Sequence, residues 1–225
     1  MTKNSFYKFF DEISSKLGVR QYSFSKIFSY LDNLPDPIII VETGCLRIKD
    51  NFSGDGQSTL LFDKYTQSRG EGSKVYTVDI DPGATKICSE IVSRDVSITT
   101  GDSVGYLNTL CNDFFDKKIQ VSFFYLDSFD LEWRSPYQSS AHHLKELVSI
   151  KKILKKDTLV VVDDSPISGN LQQSKTNEKT LDTLPLGLVP GPTISGKGSL
   201  VHEYAIQTGA RMLFSNYQTG WIGFN

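Results

Sequence analysis

The chain has 225 residues, 39% hydrophobic and 22% charged, which is enough for a buried core and too apolar for a disordered chain. Basic and acidic residues nearly cancel, 24 against 26, and the net charge of -2 argues against gripping nucleic acid through a broad basic face. Cys45, Cys88 and Cys111 form no CxxC pair, and neither a secretory signal nor a membrane-length apolar run appears, so a soluble cytoplasmic protein with no membrane partner is expected.

Phe6, Phe9, Phe10, Ile13 and Leu17 recur at helical spacing, with Gly18 as a stop. Phe24, Ile27, Phe28 and Leu31 repeat the pattern until Pro35 and Pro37 end it. Residues 1–37 thus read as a helical cap that covers a sheet edge or, on a sharper view, forms a lid or dimer contact over a ligand site. Ile38-Ile39-Ile40-Val41 is a continuous β-branched run, as expected of a strand buried on both faces. Similar runs at 74–78, 96–99, 121–126 and 158–162 alternate with helical stretches at 58–67, 84–93, 104–115 and 141–154. This alternation predicts an α/β domain over 38–225 with a doubly wound, mostly parallel sheet. A helix at 200–208 and an antiparallel hairpin, 211–217 and 221–224, complete seven strands. Residues 165–199 are dense in Gly, Pro and Ser, which suggests a lid or substrate loop.

Ligands of such sheets bind beyond the carboxyl ends of the strands. Strand one exits through Glu42-Thr43-Gly44, and Gly56-Gln57-Ser58-Thr59 then leads into a helix, so backbone and helix N–H groups can approach a ligand closely. Asp79 ends strand two, where a carboxylate accepts from ribose hydroxyls, while Asp81 is read as a helix cap. Asp102 and Ser103 follow strand three, to contact a purine edge or to cap the next helix. Asp127, Asp163 and Asp164 leave strands four and five; clustered carboxylates need a cation or a raised pKa. Hard oxygen donors favour Mg²⁺, Mn²⁺ or Ca²⁺, the alternative being a helix cap plus bonds to loop amides. His142 and His143 are candidate proton acceptors, at most one facing the site because neighbours on a helix diverge by about 100°. Asp130 is a third candidate and His202 a weaker one. Lys197 could bind an acidic acceptor or be a solvated side chain. Trp133, Tyr137 and Trp221 could wall an acceptor pocket or belong to the core.

Glu42-x-Gly44 with Gly56-x-Ser58-Thr59, Val78-Asp79-Ile80-Asp81-Pro82 and Gly101-Asp102-Ser103 resemble the cofactor motifs of class I S-adenosylmethionine-dependent methyltransferases, over residues 38–225. Asp127 with Asp163-Asp164 resembles the metal ligands of the catechol, sugar and macrolide O-methyltransferases. The resemblance implies a Rossmann-like sheet, S-adenosyl-L-methionine as cofactor, and metal-assisted methyl transfer to a hydroxyl of a small sugar-like or catechol-like acceptor. It also implies that Glu42, Gly44, Gly56 and Ser58 hold the methionine end, that Asp79 binds ribose, and that Asp102 and Ser103 lie beside adenine. Asp127, Asp163 and Asp164 would bind magnesium. Two departures stand out. Residues 46–53 split the glycine loop, and Asp130 stands where catechol-type enzymes have a lysine base. A methyltransferase-like domain without turnover is one alternative. A nicotinamide-dependent Rossmann oxidoreductase is another, although Thr59 replaces its third glycine and Glu42 would repel pyrophosphate. Self-association is left open.

Overall fold

The structure, a computed structural model, describes residues 1–55, 57–167 and 193–224; Gly56 and most of the expected lid, 168–192, lie outside them. The β-branched run forms β1 (Ile39–Thr43), buried at every position because helices cover both faces of the sheet. Around it, β2 (Lys74–Asp79), β3 (Ser97–Thr100), β4 (Phe123–Leu126) and β5 (Leu159–Val162) build a parallel array. The tail supplies β6 (Arg211–Ser215) and β7 (Thr219–Ile222), and β7 runs antiparallel to both β5 and β6. Strand order is 3-2-1-4-5-7-6, so the order reverses between β1 and β4.

The expected hairpin is present, but its turn falls earlier than Gln218-Thr219-Gly220. Thr219 and Gly220 are paired strand residues. A Cβ at Gly220 would lie 2.6 Å from the Phe214 ring, so this glycine serves close packing rather than the turn.

Alternating side chains feed two cores. Ile40, Phe123, Tyr125 and Val161 point to one face, and Ile39, Val41, Phe124, Leu126, Val160 and Val162 to the other. The second face is covered by α5 (Ser103–Lys117), α6 (Tyr137–Ile150) and α7 (Ser199–Thr208). The first is covered by α3 (Ser58–Thr66) together with α1 (Lys3–Ser14) and α2 (Gln21–Leu31). The N-terminal helices therefore lie on a sheet face, not on an edge. Phe6 and Phe28 meet edge-on at 4.8 Å, and Phe62 meets Tyr125 at 5.2 Å. Burying each such ring contributes about 1.5–3 kcal/mol, which makes the helical cap part of the core.

Caps fix the helix starts that face the strand exits. Asp81 precedes Pro82 at the start of α4 (Pro82–Ile91) and accepts from Gly83 N at 2.7 Å. Asp102 accepts from Gly105 N at 2.7 Å at the start of α5. α6 begins at Tyr137, four residues before the expected start. Its first turn carries polar Ser139 and Ser140, which are buried and bonded to Phe129 O at 3.0 Å and Ser199 Oγ at 2.7 Å. Between α1 and α2 the chain passes a 3-10 segment, Ser15–Arg20, in which Gly18 takes a φ of 54°. That kink ends one helix and presents Arg20 to the carboxyl edge of the sheet.

Candidate active site

The chain leaves β1 through Gly44 with φ 80°, and a Cβ added there would stand 2.4 Å from Asp127 O. Only glycine lets the exits of β1 and β4 touch at the switch in strand order. Beneath this contact Glu42 is wholly buried, and its Oε2 accepts from Thr59 Oγ1 at 2.6 Å and Thr77 Oγ1 at 2.8 Å. Thr59 Oγ1 accepts in turn from Leu46 N at 2.9 Å, which ties the inserted 46–53 segment to the start of α3. Burial pushes the Glu42 carboxyl up to about 7, and its Oε1 has no partner among the described residues. Asp55 finishes the segment, accepting from Arg47 N at 2.9 Å and Ile48 N at 3.3 Å.

A cavity of about 220 Å³ lies between the exits of β1, β2 and β4, walled by Gly44, Arg47, Ser58, Asp79, Asp127 and Asp130. It adjoins one of about 60 Å³ formed by Ile80, Gly101, Asp102, Ser103, Phe129 and His142, and Asp79 borders both. Asp79 accepts from Cys45 N at 3.1 Å and Asp81 N at 2.9 Å, one bond on each oxygen. A carboxylate has about four acceptor positions, so two remain for a ligand's hydroxyls. The expected cofactor residues Gly44, Ser58, Asp79, Asp102 and Ser103 are thus brought together. Glu42 is placed under the loop and lines neither cavity, and Gly56 lies outside the described residues. A larger cavity, about 470 Å³, opens at the opposite ends of the strands around Ile39, Tyr76 and Val121, away from every strand exit.

The three carboxylates expected to hold a metal do converge, but around two cations of the chain itself. Arg20 Nε donates to Asp163 at 2.8 and 3.2 Å, and its Nη2 to Asp164 Oδ1 at 3.2 Å. Its Nη1 reaches Ser53 O at 3.4 Å and Gly54 O at 3.3 Å, and the guanidinium stacks 4.8 Å from the Tyr217 ring centre. Asp163 also accepts from Tyr125 Oη at 2.8 Å and from Asp164 N at 2.7 Å. The Lys197 ammonium bonds Asp127 Oδ1 directly and lies 3.1 Å from Asp164 Oδ2. Burial opposes its charge, but Asp127, Asp164 and Asp163 outweigh that and hold its pKa above the ordinary lysine value. Burial likewise works against the Asp163 carboxylate, and Arg20 with Lys197 overcomes it and keeps that pKa below the usual range.

A divalent metal does not fit this donor set: Asp163 and Asp164 carry a hydrogen bond or ion pair on every oxygen, and Asp127 is bound to Lys197. Among the described residues no group of three or more His, Cys, Asp or Glu side chains is disposed to hold a metal ion. Lys197, 2% exposed, is also no solvated side chain.

Of the expected proton acceptors, His143 is fully buried, its Nδ1 bonded to Ser139 O at 2.7 Å; burial lowers its pKa to about 4. It faces the core between α6 and its neighbours and reaches neither cavity. His142 Nε2 lies 2.9 Å from Ser103 Oγ, on the wall of the smaller cavity. Asp130 lines the 220 Å³ cavity at the strand exits, with Arg47 Nη1 at 3.0 Å. His202 packs beside Trp221 at 6.2 Å, and Trp221 is buried in the core. Tyr137 is exposed and Trp133 half-buried. Sequence reasoning missed Arg20, Tyr125 and Gln218, which donates to Tyr125 Oη at 2.5 Å. The one available signal was an arginine set just past the Gly18 stop in an otherwise aromatic-rich pair of helices.

No protein-family model and no curated protein matches the chain. Among solved structures it is similar to the MycE methyltransferase of the mycinamycin biosynthetic pathway, in complex with Mg, SAH and mycinamycin VI. That match has 11% identity and a TM-score of 0.52, and covers 91% of this chain and 49% of MycE. The chain therefore spans about half the length of that protein. An O-methyltransferase from Bacillus cereus in complex with SAH is also similar, at 13% identity and a TM-score of 0.48, covering 99% of this chain and 92% of that one. The seven-stranded sheet with its terminal hairpin is the class I methyltransferase fold. No helix among the described residues is long and apolar enough to cross a membrane.

Proposed function

We propose that the chain is an S-adenosylmethionine-dependent methyltransferase that methylates a hydroxyl of a small polyhydroxylated acceptor. The observation that carries this reading is Asp79. It ends β2, borders both connected cavities and keeps acceptor capacity on each oxygen, beside a glycine exit where a side chain would clash. Asp79 would take the two ribose hydroxyls. Ile80, Ser103, Phe129 and His142 would enclose the adenine, and Gly44, Ser58 and Arg47 would border the methionine end. When bound, S-adenosylmethionine supplies an electrophilic methyl on a sulfonium, and the products are the methylated acceptor, S-adenosylhomocysteine and a proton.

The chain's own residues supply alignment and charge. Asp127, backed onto Gly44, forms the wall between the cofactor cavity and the Arg20–Asp163–Asp164–Lys197 cluster, so the acceptor hydroxyl belongs on that side. Positioning the two reactants is the larger share of the catalytic task for such a transfer. Asp130 lines the same cavity and is the proton acceptor this arrangement favours; Arg47 Nη1, 3.0 Å away, orients its carboxylate. The test is release of S-adenosylhomocysteine in the presence of sugar-like and catechol-like acceptors. Acceptor-dependent release that disappears with Asp79→Ala is the expected result. Cofactor binding without release on any acceptor would contradict the enzymatic assignment.

A further inference from the structure

We propose that the Lys197 ammonium, shared by Asp127 and Asp164, stands where a divalent metal would stand, and that methyl transfer at this site is independent of metal. The inference rests on the methyltransferase reading above. The protein builds this lysine into place from both sides. Gly196 has φ 65°, and a Cβ there would lie 2.0 Å from Asp164 O; a Cβ at Gly198 would lie 2.6 Å from Ser165 Cβ. Lys197 N donates to Asp164 O at 3.0 Å, which closes the turn. Two glycines and one backbone bond thus press a lysine against the ends of β4 and β5, 2% exposed. A solvated side chain would need none of these constraints.

Most of the charge is balanced within the chain. Three carboxyl groups face one ammonium and one guanidinium, and burial pushes the Asp127 pKa well above the usual carboxylate range, so Asp127 is the group that can hold a proton and remove the one remaining negative unit. A hard dication takes about six oxygen ligands, and here both oxygens of Asp163 are already engaged by Arg20, Tyr125 Oη and Asp164 N. It would also have to sit in contact with two fixed positive charges in a buried cluster, where repulsion is weakly screened. An ammonium is a compact point charge with three donors. Two are spent on Asp127 and Asp164, and the third would hold an acceptor hydroxyl and lower its pKa before transfer, the role a metal would otherwise have. One consequence concerns acceptor choice. A lysine donor engages a single hydroxyl, so a chelating vicinal pair is not required.

The test uses Mn²⁺ alone, followed by the electron paramagnetic resonance of the free ion, with S-adenosylhomocysteine calorimetry on the same samples. The wild-type chain is expected to take up no Mn²⁺ and to bind S-adenosylhomocysteine equally with and without EDTA. Lys197→Met keeps the side chain's bulk and removes its charge; with Arg20 still on Asp163 and Asp164 it should gain no Mn²⁺ site, and its acceptor-dependent release of S-adenosylhomocysteine should fall by at least about tenfold and not be restored by Mn²⁺. Wild-type uptake of one Mn²⁺ that is lost in Asp127→Asn would overturn the proposal and needs no lysine variant. Lys197→Met that binds S-adenosylhomocysteine like wild type and, with EDTA present, still shows wild-type acceptor-dependent release would also overturn it. Failure of the wild type to bind S-adenosylhomocysteine would overturn the methyltransferase reading, and this inference with it.

Discussion

Arg20, at the end of the N-terminal 3-10 segment, lays its Nε 2.8 Å from the carboxylate of Asp163, 143 residues later at the end of β5. This buried pair joins the helical cap to the carboxyl edge of the sheet. Removing one partner leaves an uncompensated buried charge, so Arg20→Met should destabilise the protein by roughly 3–5 kcal/mol in urea unfolding. The pH dependence follows from the lowered Asp163 pKa. Its contribution is present above the unfolded carboxylate value of about 3.9 and is lost as pH falls through the lower folded value. Arg20→Met should therefore unfold at a higher pH than wild type in acid titration.

Glu42 makes the opposite prediction. Its folded pKa, raised to about 7 by burial, means that the unfolded chain ionises first. Stability is thus lost as pH rises from about 4.5 through 7, by about 3 kcal/mol for this group. His143, lowered to about 4, acts with the opposite sign over an overlapping range, so wild-type curves alone do not isolate Glu42. Comparing Glu42→Gln with wild type at pH 5 and pH 8 does. The stability difference should move in favour of the Glu42→Gln variant at pH 8, and a pH-independent difference would contradict the burial argument.

Gly44→Ala should damage both fold and site. The left-handed φ and the 2.4 Å approach to Asp127 O together strain the exit of β1, at about 1–3 kcal/mol for the conformation alone. A lower melting temperature with at least an approximately tenfold weaker S-adenosylhomocysteine affinity is expected. Unchanged affinity would show that the β1 exit does not border the cofactor.

The architecture was legible because its signals are local. Five strand-like apolar runs, the Asp81 cap and the Gly44 exit each depend on neighbours in sequence, and each is found where expected; of the two readings of Asp102, the cap is the one the geometry shows. The site was legible where a strand end dictates it, as at Gly44 and Asp79. It was not legible where a distant segment decides. Nothing near Asp163 in sequence announces that Arg20 will fill its acceptor positions, and a lysine between glycines in a polar stretch reads as solvent-exposed until Asp164 folds over it. Ser139 and Ser140 hid the first turn of α6 for a related reason, since buried polar residues look like loop when their partners are 10 and 59 residues away.

The most direct test of the central claim is calorimetry of S-adenosylhomocysteine with the wild-type chain and with Asp79→Ala. Binding by wild type, weakened by at least about tenfold in a variant that keeps its melting temperature, is the predicted result. No binding by wild type, or equal binding by both, would contradict the assignment of the strand-exit cavities to this cofactor.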